Sequence, residues 1–410
     1  MNGEAYERYK ASIKQEILQL LDCGQDFSDE QVRGLIDGRL CGREGAGHLD
    51  VAGRRRLGKE LFAAIRGLDV LQELLEDKSI TEIMINGPER IFVERAGRLE
   101  EWNGRFESVT RLQDVIQQIA SGCNRVVNEG SPILDARLAD GSRVNVVLAP
   151  VALNGPVLTI RRFPEEGMTL DRLVALGSLD RECRAFLELL VKSRYNIFIS
   201  GGTGSGKTTF LNALSQAIPP AERIITIEDS AELQLKYAKN LVSLETRNAN
   251  MEGCKPVTIR DLIRSSLRMR PDRIIVGEVR GAEICELLTA YNSGHAGSMS
   301  TGHGNTARDM LLRMETMLLM GMDIPLSAIR RQIASGIDIL VHLGRLRDKT
   351  RRVLEIVEIA GFSGDEIETR TLYAFEEDEH STRERVSGRL VKKGELMHEE
   401  KLEAAGYGCR

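Results

Sequence analysis

The stretch NIFISGGTGSGKTT, Asn196 to Thr209, is a short apolar run that breaks into glycines and ends in an ammonium and two hydroxyls. From Gly201 to Thr208 it fits the spacing G-x-x-x-x-G-K-[ST]. A strand-like segment precedes the glycines. A helical segment follows to Ala217 and is stopped by Pro219-Pro220. Glycines let the backbone wrap tightly and aim its N–H groups at phosphate oxygens, and a following helix N-terminus favours an anion. The candidate nucleotide-binding residues are therefore Gly201, Gly202, Thr203, Gly204, Ser205, Gly206, Lys207, Thr208 and Thr209. Lys207 has the reach for β- and γ-phosphates, and the Thr208 hydroxyl suits Mg²⁺. Average composition would give such a match by chance in about 1% of chains this long. The implied ligands are ATP and Mg²⁺.

Around this stretch, short apolar runs (NIFIS, RIITIE, RIIVGE) alternate with helical segments from about residue 178. That rhythm predicts an α/β unit, a mostly parallel sheet with helices on both faces. RIIVGEVRG ends in Glu278, a candidate for holding water or the Mg²⁺ shell opposite Lys207. Gly277 stands where many phosphate-loop enzymes carry an Asp. RIITIEDSAEL ends in Glu228 and Asp229, which could serve the site or cap a helix. SGHAGSMSTGHGN holds His295 and His303 among small residues, and one of them could contact a γ-phosphate. The strands IDILVHLG and RRVLEIVEIAGF are expected to close this unit by residue 365. A charged, weakly ordered tail is expected over 366–410.

Upstream, residues 1–66 read as a helical appendage. Tyr6, Ile13, Ile17 and Leu20 form one apolar stripe and Val32, Leu35 and Ile36 another. Ser28 to Gln31 offers N-capping chemistry, and Gly42 to Gly47 a glycine-rich connector. Residues 67–165 read as an α+β domain. It has turns at Asn86-Gly87, Ala96-Gly97 and Asp140-Gly141 and a helix near Val109 to Ala120. Residues 166–177 read as a linker.

The 410 residues carry a net charge of −5, with apolar residues at 42% and aromatics at 4%. No global basic footprint points to nucleic acid. Seven cysteines lie scattered with no C-x-x-C pair, which argues for reduced thiols and against structural zinc. The start MNGEAYERYK has no apolar signal core, and no run approaches the ~20 apolar residues that span a bilayer. A cytoplasmic protein is expected.

The four motor segments, in this order, resemble the Walker A, Asp box, Walker B and His box of the type II/type IV secretion ATPase superfamily. ITEIMINGPERIFVERAGRL, SPILDARLADGSRVNVV and VLTIRRF are similar to that family's N-terminal domain. The resemblance runs from about 70 to 365 and is nearest to the CpaF/TadA-type ATPases of Tad (Flp) pili. It implies a RecA-like motor domain behind a PAS-like N-terminal domain, and a homohexameric ring. It implies ATP hydrolysis at Glu278, with Glu228 and His303 lining the site and Thr208 and Glu278 serving Mg²⁺. Arginine fingers would come from among Arg137, Arg143, Arg161 and Arg162, because guanidinium neutralises transition-state charge. Arg268, Arg270 and Arg280 are weaker candidates. The partner implied is an integral membrane platform protein, which would hold the motor at the inner face of the membrane. The alternatives are a type II or type IV secretion ATPase moving protein or DNA, a non-hydrolysing nucleotide-dependent scaffold, and a small-molecule kinase. The tetracysteine zinc module of some relatives has no counterpart here.

Overall fold

The computed structural model describes residues 3–21, 27–41, 49–95, 97–162, 167–247, 255–364 and 366–407, so the Gly42 to Gly47 connector lies outside the described residues. The chain divides into two compact units, Met1–Glu165 and Glu166–Arg410.

The first unit starts with three helices, α1 (Gly3–Leu21), α2 (Asp29–Cys41) and α3 (Val51–Arg66). The stripes predicted from spacing meet here. Ile13, Ile17, Val32 and Ile36 are buried together with Leu57 and Leu61 of α3, each worth roughly 1.5–3 kcal/mol of removed apolar surface. Ser28 caps α2 reciprocally. Its Oγ accepts from the Gln31 amide, and Gln31 Oε1 accepts from the Ser28 amide. After α4 (Val70–Glu76) come β1 (Ile80–Asn86), β2 (Ile91–Arg95), β3 (Arg98–Trp102), α5 (Val109–Gly122), β4 (Ile133–Arg137), β5 (Arg143–Val147) and β6 (Val157–Arg161). The strands form an antiparallel sheet in the order β3-β2-β1-β6-β5-β4. Its inner face packs Ile83, Ile85, Val144, Val146, Leu158 and Ile160 against α5 residues Leu112, Val115, Ile116 and Ile119. The expected turns are present, with Gly87, Gly97 and Gly141 all at positive φ.

The second unit runs α6 (Leu170–Ala175), α7 (Arg181–Lys192), β7 (Ile197–Gly201), α8 (Lys207–Ser215), β8 (Arg223–Glu228), β9 (Asn240–Glu245), α9 (Ile259–Ser266) and β10 (Arg273–Val279). It continues with α10 (Ile284–Asn292), β11 (Met299–His303), α11 (Ala307–Gly321), α12 (Leu326–Gly336), β12 (Ile339–Arg345), β13 (Arg351–Ser363), β14 (Glu366–Glu377), β15 (Gly388–Lys392) and α13 (Glu400–Ala404). The sheet order is β15-β14-β13-β12-β7-β11-β10-β8-β9. The run from β12 to β9 is parallel, and β13, β14 and β15 add antiparallel. Strand alternation splits the core in two. Ile197 and Ile199 face α7 and α8, while Phe198 faces the other way with α10 and α11.

Two expectations are corrected. The expected weakly ordered tail over 366–410 is ordered structure in its described part, 366–407, and the sheet does not close by 365. EIETRTLYAFEE pairs along β13, with Leu372 and Tyr373 buried and its charges outward. The segment 166–177 is not merely a linker, because Thr169 caps α6 and Leu170 and Leu173 enter the core.

The C-terminal segment is held by one buried carboxylate. Glu358 of β13, 2% exposed, accepts from the amides of Met397 and His398. Tyr195 donates to the His398 carbonyl, and Lys401 pairs with Asp338. Glu358→Ala would remove the acceptor of two partly buried N–H groups, a loss of about 1 kcal/mol each. A clear fall in the urea midpoint is expected, together with early proteolysis after residue 393. An unchanged midpoint would show that the segment does not depend on this clamp.

Candidate active site at the carboxyl ends of the central strands

In a parallel sheet the carboxyl ends of neighbouring strands share one edge, and ligands collect there. Here β7, β11, β10 and β8 end together. His303 lies opposite Gly201 in register, and Val279 opposite Gly302. The phosphate loop fills residues 202–206, with Gly204 at φ +72° and Gly206 at φ +92° just before α8. A Cβ on Gly201 would stand 2.5 Å from the Leu343 carbonyl oxygen, so that position excludes a side chain. Around Gly202 and Gly204 there is open space.

Lys207 is 7% exposed and has folded back on its own loop. Its Nζ donates to the carbonyls of Gly201 (3.0 Å) and Gly202 (3.1 Å). It also lies 3.3 Å from His303 Nδ1. An ammonium only donates, so Nδ1 must be the unprotonated nitrogen and Nε2 carries the hydrogen. Burial pushes the His303 pKa down, which favours this neutral form against the pull of Glu278. His303 Nε2 is 2.7 Å from Glu278 Oε1. The ring N–H does not aim at that oxygen, which is buried without a hydrogen-bond donor. This contact is electrostatic, and it leaves Oε1 shielded from solvent beside the imidazole. Glu278 Oε2 accepts from Arg280 Nη2 at 2.9 Å. Burial also lowers the Lys207 pKa, and Glu278 opposes that shift. The half-buried Thr208 follows on the first turn of α8, and the neighbouring Ser205 Oγ is buried without a partner. A hydroxyl and a carboxylate oxygen with spare acceptor capacity fit an oxygen-seeking divalent cation such as Mg²⁺.

Glu228 is 3% exposed, and its carboxylate accepts from the amides of Glu232 and Leu233. A Cβ on Gly277 would lie 2.8 Å from Glu228 Cγ. The glycine in place of the common Asp therefore makes room for Glu228. Glu228 shapes the strand-end loop, and its oxygens are already engaged.

His295 does not join the site. It precedes β11, whose carboxyl end carries His303, and the adjoining amides of Gly297 and Ser298 bond Asn196 at the start of β7. It therefore belongs to the opposite edge of the sheet, roughly 13 Å of strand away, with Nδ1 3.3 Å from the Ala290 carbonyl oxygen.

In the first unit, three of the four candidate arginines form a row. Arg137 pairs in register with Arg143, and Arg143 with Arg161. Directly opposed residues share a face, and the adjoining row Ala136, Val144, Ile160 packs the core, so the arginines point away from it. Adjacent like charges repel, and Arg137 has two buried guanidinium nitrogens with no hydrogen-bond partner. Arg162 stands outside the row and donates to the Asp77 carbonyl. Arg268 and Arg270 lie before β10, at the opposite edge from Glu278.

Two residues of the motor edge escaped sequence reading. His342 of β12 is 6% exposed and hydrogen-bonds Ser200 Oγ through Nδ1 at 2.9 Å. Arg351 Nε donates to the Gly204 carbonyl at 2.8 Å. Burial depresses the His342 pKa below 6.5. A depressed folded pKa means that the unfolded chain takes up the proton first. The stability is therefore present above pH 6.5 and is lost as pH falls below it. The thermal midpoint of the wild-type chain is expected to fall more steeply from pH 6.5 towards 5.5 than that of His342→Gln. Parallel curves would remove His342 from the acid response.

The parallel sheet, phosphate loop and strand-end acid define a RecA-like motor unit. The solved Legionella pneumophila ATPase DotB shares this fold at a TM-score of 0.51 and 23% identity, over 70% of this chain and 79% of that one. The chain belongs to the type II/IV secretion system protein family, whose model matches residues 65–402. A putative conjugal transfer protein of Mycobacterium tuberculosis is 35% identical over 310 residues, covering 74% of this chain and 88% of the relative. The type IV secretion system protein PtlH of Bordetella pertussis is 36% identical, covering 70% and 93%. Among the described residues, no helix is long and apolar enough to cross a membrane.

Proposed function

We propose that this chain is an ATP-hydrolysing motor subunit of a secretion machine, working as a homohexamer. The supporting observation is the Lys207–His303–Glu278 line across the strand ends, with Glu278 Oε1 lacking any donor. Lys207 leaves the Gly201 and Gly202 carbonyls for the incoming phosphate oxygens. Glu278 orients the attacking water, and His303, between the two, registers whether the terminal phosphate is present. Bound near Thr208 and Glu278, Mg²⁺ would neutralise phosphate charge. An arginine finger would come from among Arg137, Arg143, Arg161 and Arg162, because guanidinium neutralises transition-state charge. Differential affinity for ATP and ADP then drives domain closure and opening. A mass measurement of the purified chain with nucleotide should give six subunits, and a persistent monomer would sink the ring.

At the finer level we propose assembly of a Tad/Flp-type pilus through a membrane platform protein at the inner face of the cell membrane. The three-helix bundle α1–α3 supports this, because it lies almost wholly ahead of the family match and so adds a module to the common motor. Deleting the gene in the source cell should abolish surface filaments and spare conjugation. The second reading is a conjugal-transfer or type IV secretion ATPase, favoured by the names of the two relatives above. Filaments that persist while DNA or protein transfer stops would establish it.

A further inference from the structure

Among the described residues, a second cation of the motor unit besides Lys207 touches the phosphate loop. Arg351, the first residue of β13, reaches back over 147 positions to place Nε on the Gly204 carbonyl. A Cβ on Gly206 would stand 3.4 Å from Arg351 Cδ. The side chain thus lies along the loop's rim from Gly204 to Gly206, the residue that caps α8. Its terminal nitrogens Nη1 and Nη2 bond nothing among the described residues. Directly opposite across the β12–β13 hairpin stands Arg345. It is also exposed and without an ion-pair partner among the described residues.

This arrangement is unfavourable as it stands. Like charges directly opposed across two strands repel. The N-terminus of a helix is the positive end of its dipole and disfavours a nearby cation. Asp348 and Glu377 of the same hairpin region offer no relief, since Asp348 accepts from Thr350 and Val386 and Glu377 pairs with Arg347. A polyanion on the loop would attract both guanidinium groups and the helix N-terminus, and so offset these repulsions.

We propose that Arg351, with Arg345 behind it, forms a same-subunit cationic rim that binds the phosphates of the nucleotide. The inference rests on the nucleotide-binding reading above and adds a contact from a strand outside its motifs. Arg351 anchors one guanidinium edge on the loop carbonyl and offers the other edge to a phosphate oxygen, the planar geometry that lysine cannot copy. Arg345 strengthens the field without touching the loop.

The test is equilibrium binding of Mg·ADP, Mg·pyrophosphate and adenosine to the full chain and to Arg351→Gln, Arg351→Lys and Arg345→Gln. Arg351→Gln should weaken ADP and pyrophosphate by about tenfold, the size of one hydrogen bond to a charged group. It should leave adenosine unchanged and flatten the salt dependence of ADP binding. Arg351→Lys should recover only part of the loss. Arg345→Gln, which disturbs no hydrogen bond of the loop, should weaken both phosphate ligands about threefold. Wild-type affinities in Arg351→Gln and Arg345→Gln would overturn the proposal. A loss confined to adenosine would also overturn it, by moving the contact to the base. Wild-type chain that binds neither ADP nor pyrophosphate would instead bring down the nucleotide reading itself.

Discussion

Lys207→Ala is expected to reduce ATP turnover by about 10³-fold or more, to the assay background, while the chain still folds. Lys207 is the one ammonium that the loop encloses, and its three hydrogens are now spent on two loop carbonyls and His303. Replacing it takes one donor from each carbonyl, and the Gly201 carbonyl still accepts from the Gly304 amide. It also removes a buried cation whose desolvation already lowers its pKa. Stability should therefore change little, and circular dichroism with a thermal melt separates the two effects. Retained turnover in a folded Lys207→Ala chain would place the chemistry elsewhere.

Glu278→Gln is expected to bind ATP and turn it over about 10²–10⁴-fold more slowly. The amide fills the same space and keeps an oxygen for Arg280, but it cannot take a proton from water. The change also removes the charge that supports the ammonium of Lys207. A modest rise in the Kd for ATP should accompany the loss of turnover. Turnover near the wild-type rate would demote Glu278 to a partner of Arg280.

How much could be read from sequence depended on how local each signal was. The phosphate loop was legible because its chemistry is carried by contiguous residues. Glu278 was legible because an apolar run ending in a polar residue marks a strand end, whereas His303 was read as one of two histidines in a segment of small residues. That shared segment misled at His295. His303 comes eight positions later, at the far end of β11, so the His295 loop sits at the other edge of the sheet. The arginine row was visible as residue types. Its register, which pairs Arg137 with Arg143 and Arg143 with Arg161, is a property of the folded sheet. β14 was missed because it carries as many charged as apolar residues, and one long neighbour strand supplies most of its hydrogen bonds. Arg351 had no local signal at all, since its partner is 147 residues away.

The most direct measurement is a calorimetric titration of Mg·ATP into the Glu278→Gln chain, with Lys207→Ala/Glu278→Gln as the reference. The account predicts saturable binding, with a Kd on the order of 1–100 μM, that vanishes when Lys207 is also replaced. No heat with the single variant, or the same isotherm for both, would contradict it.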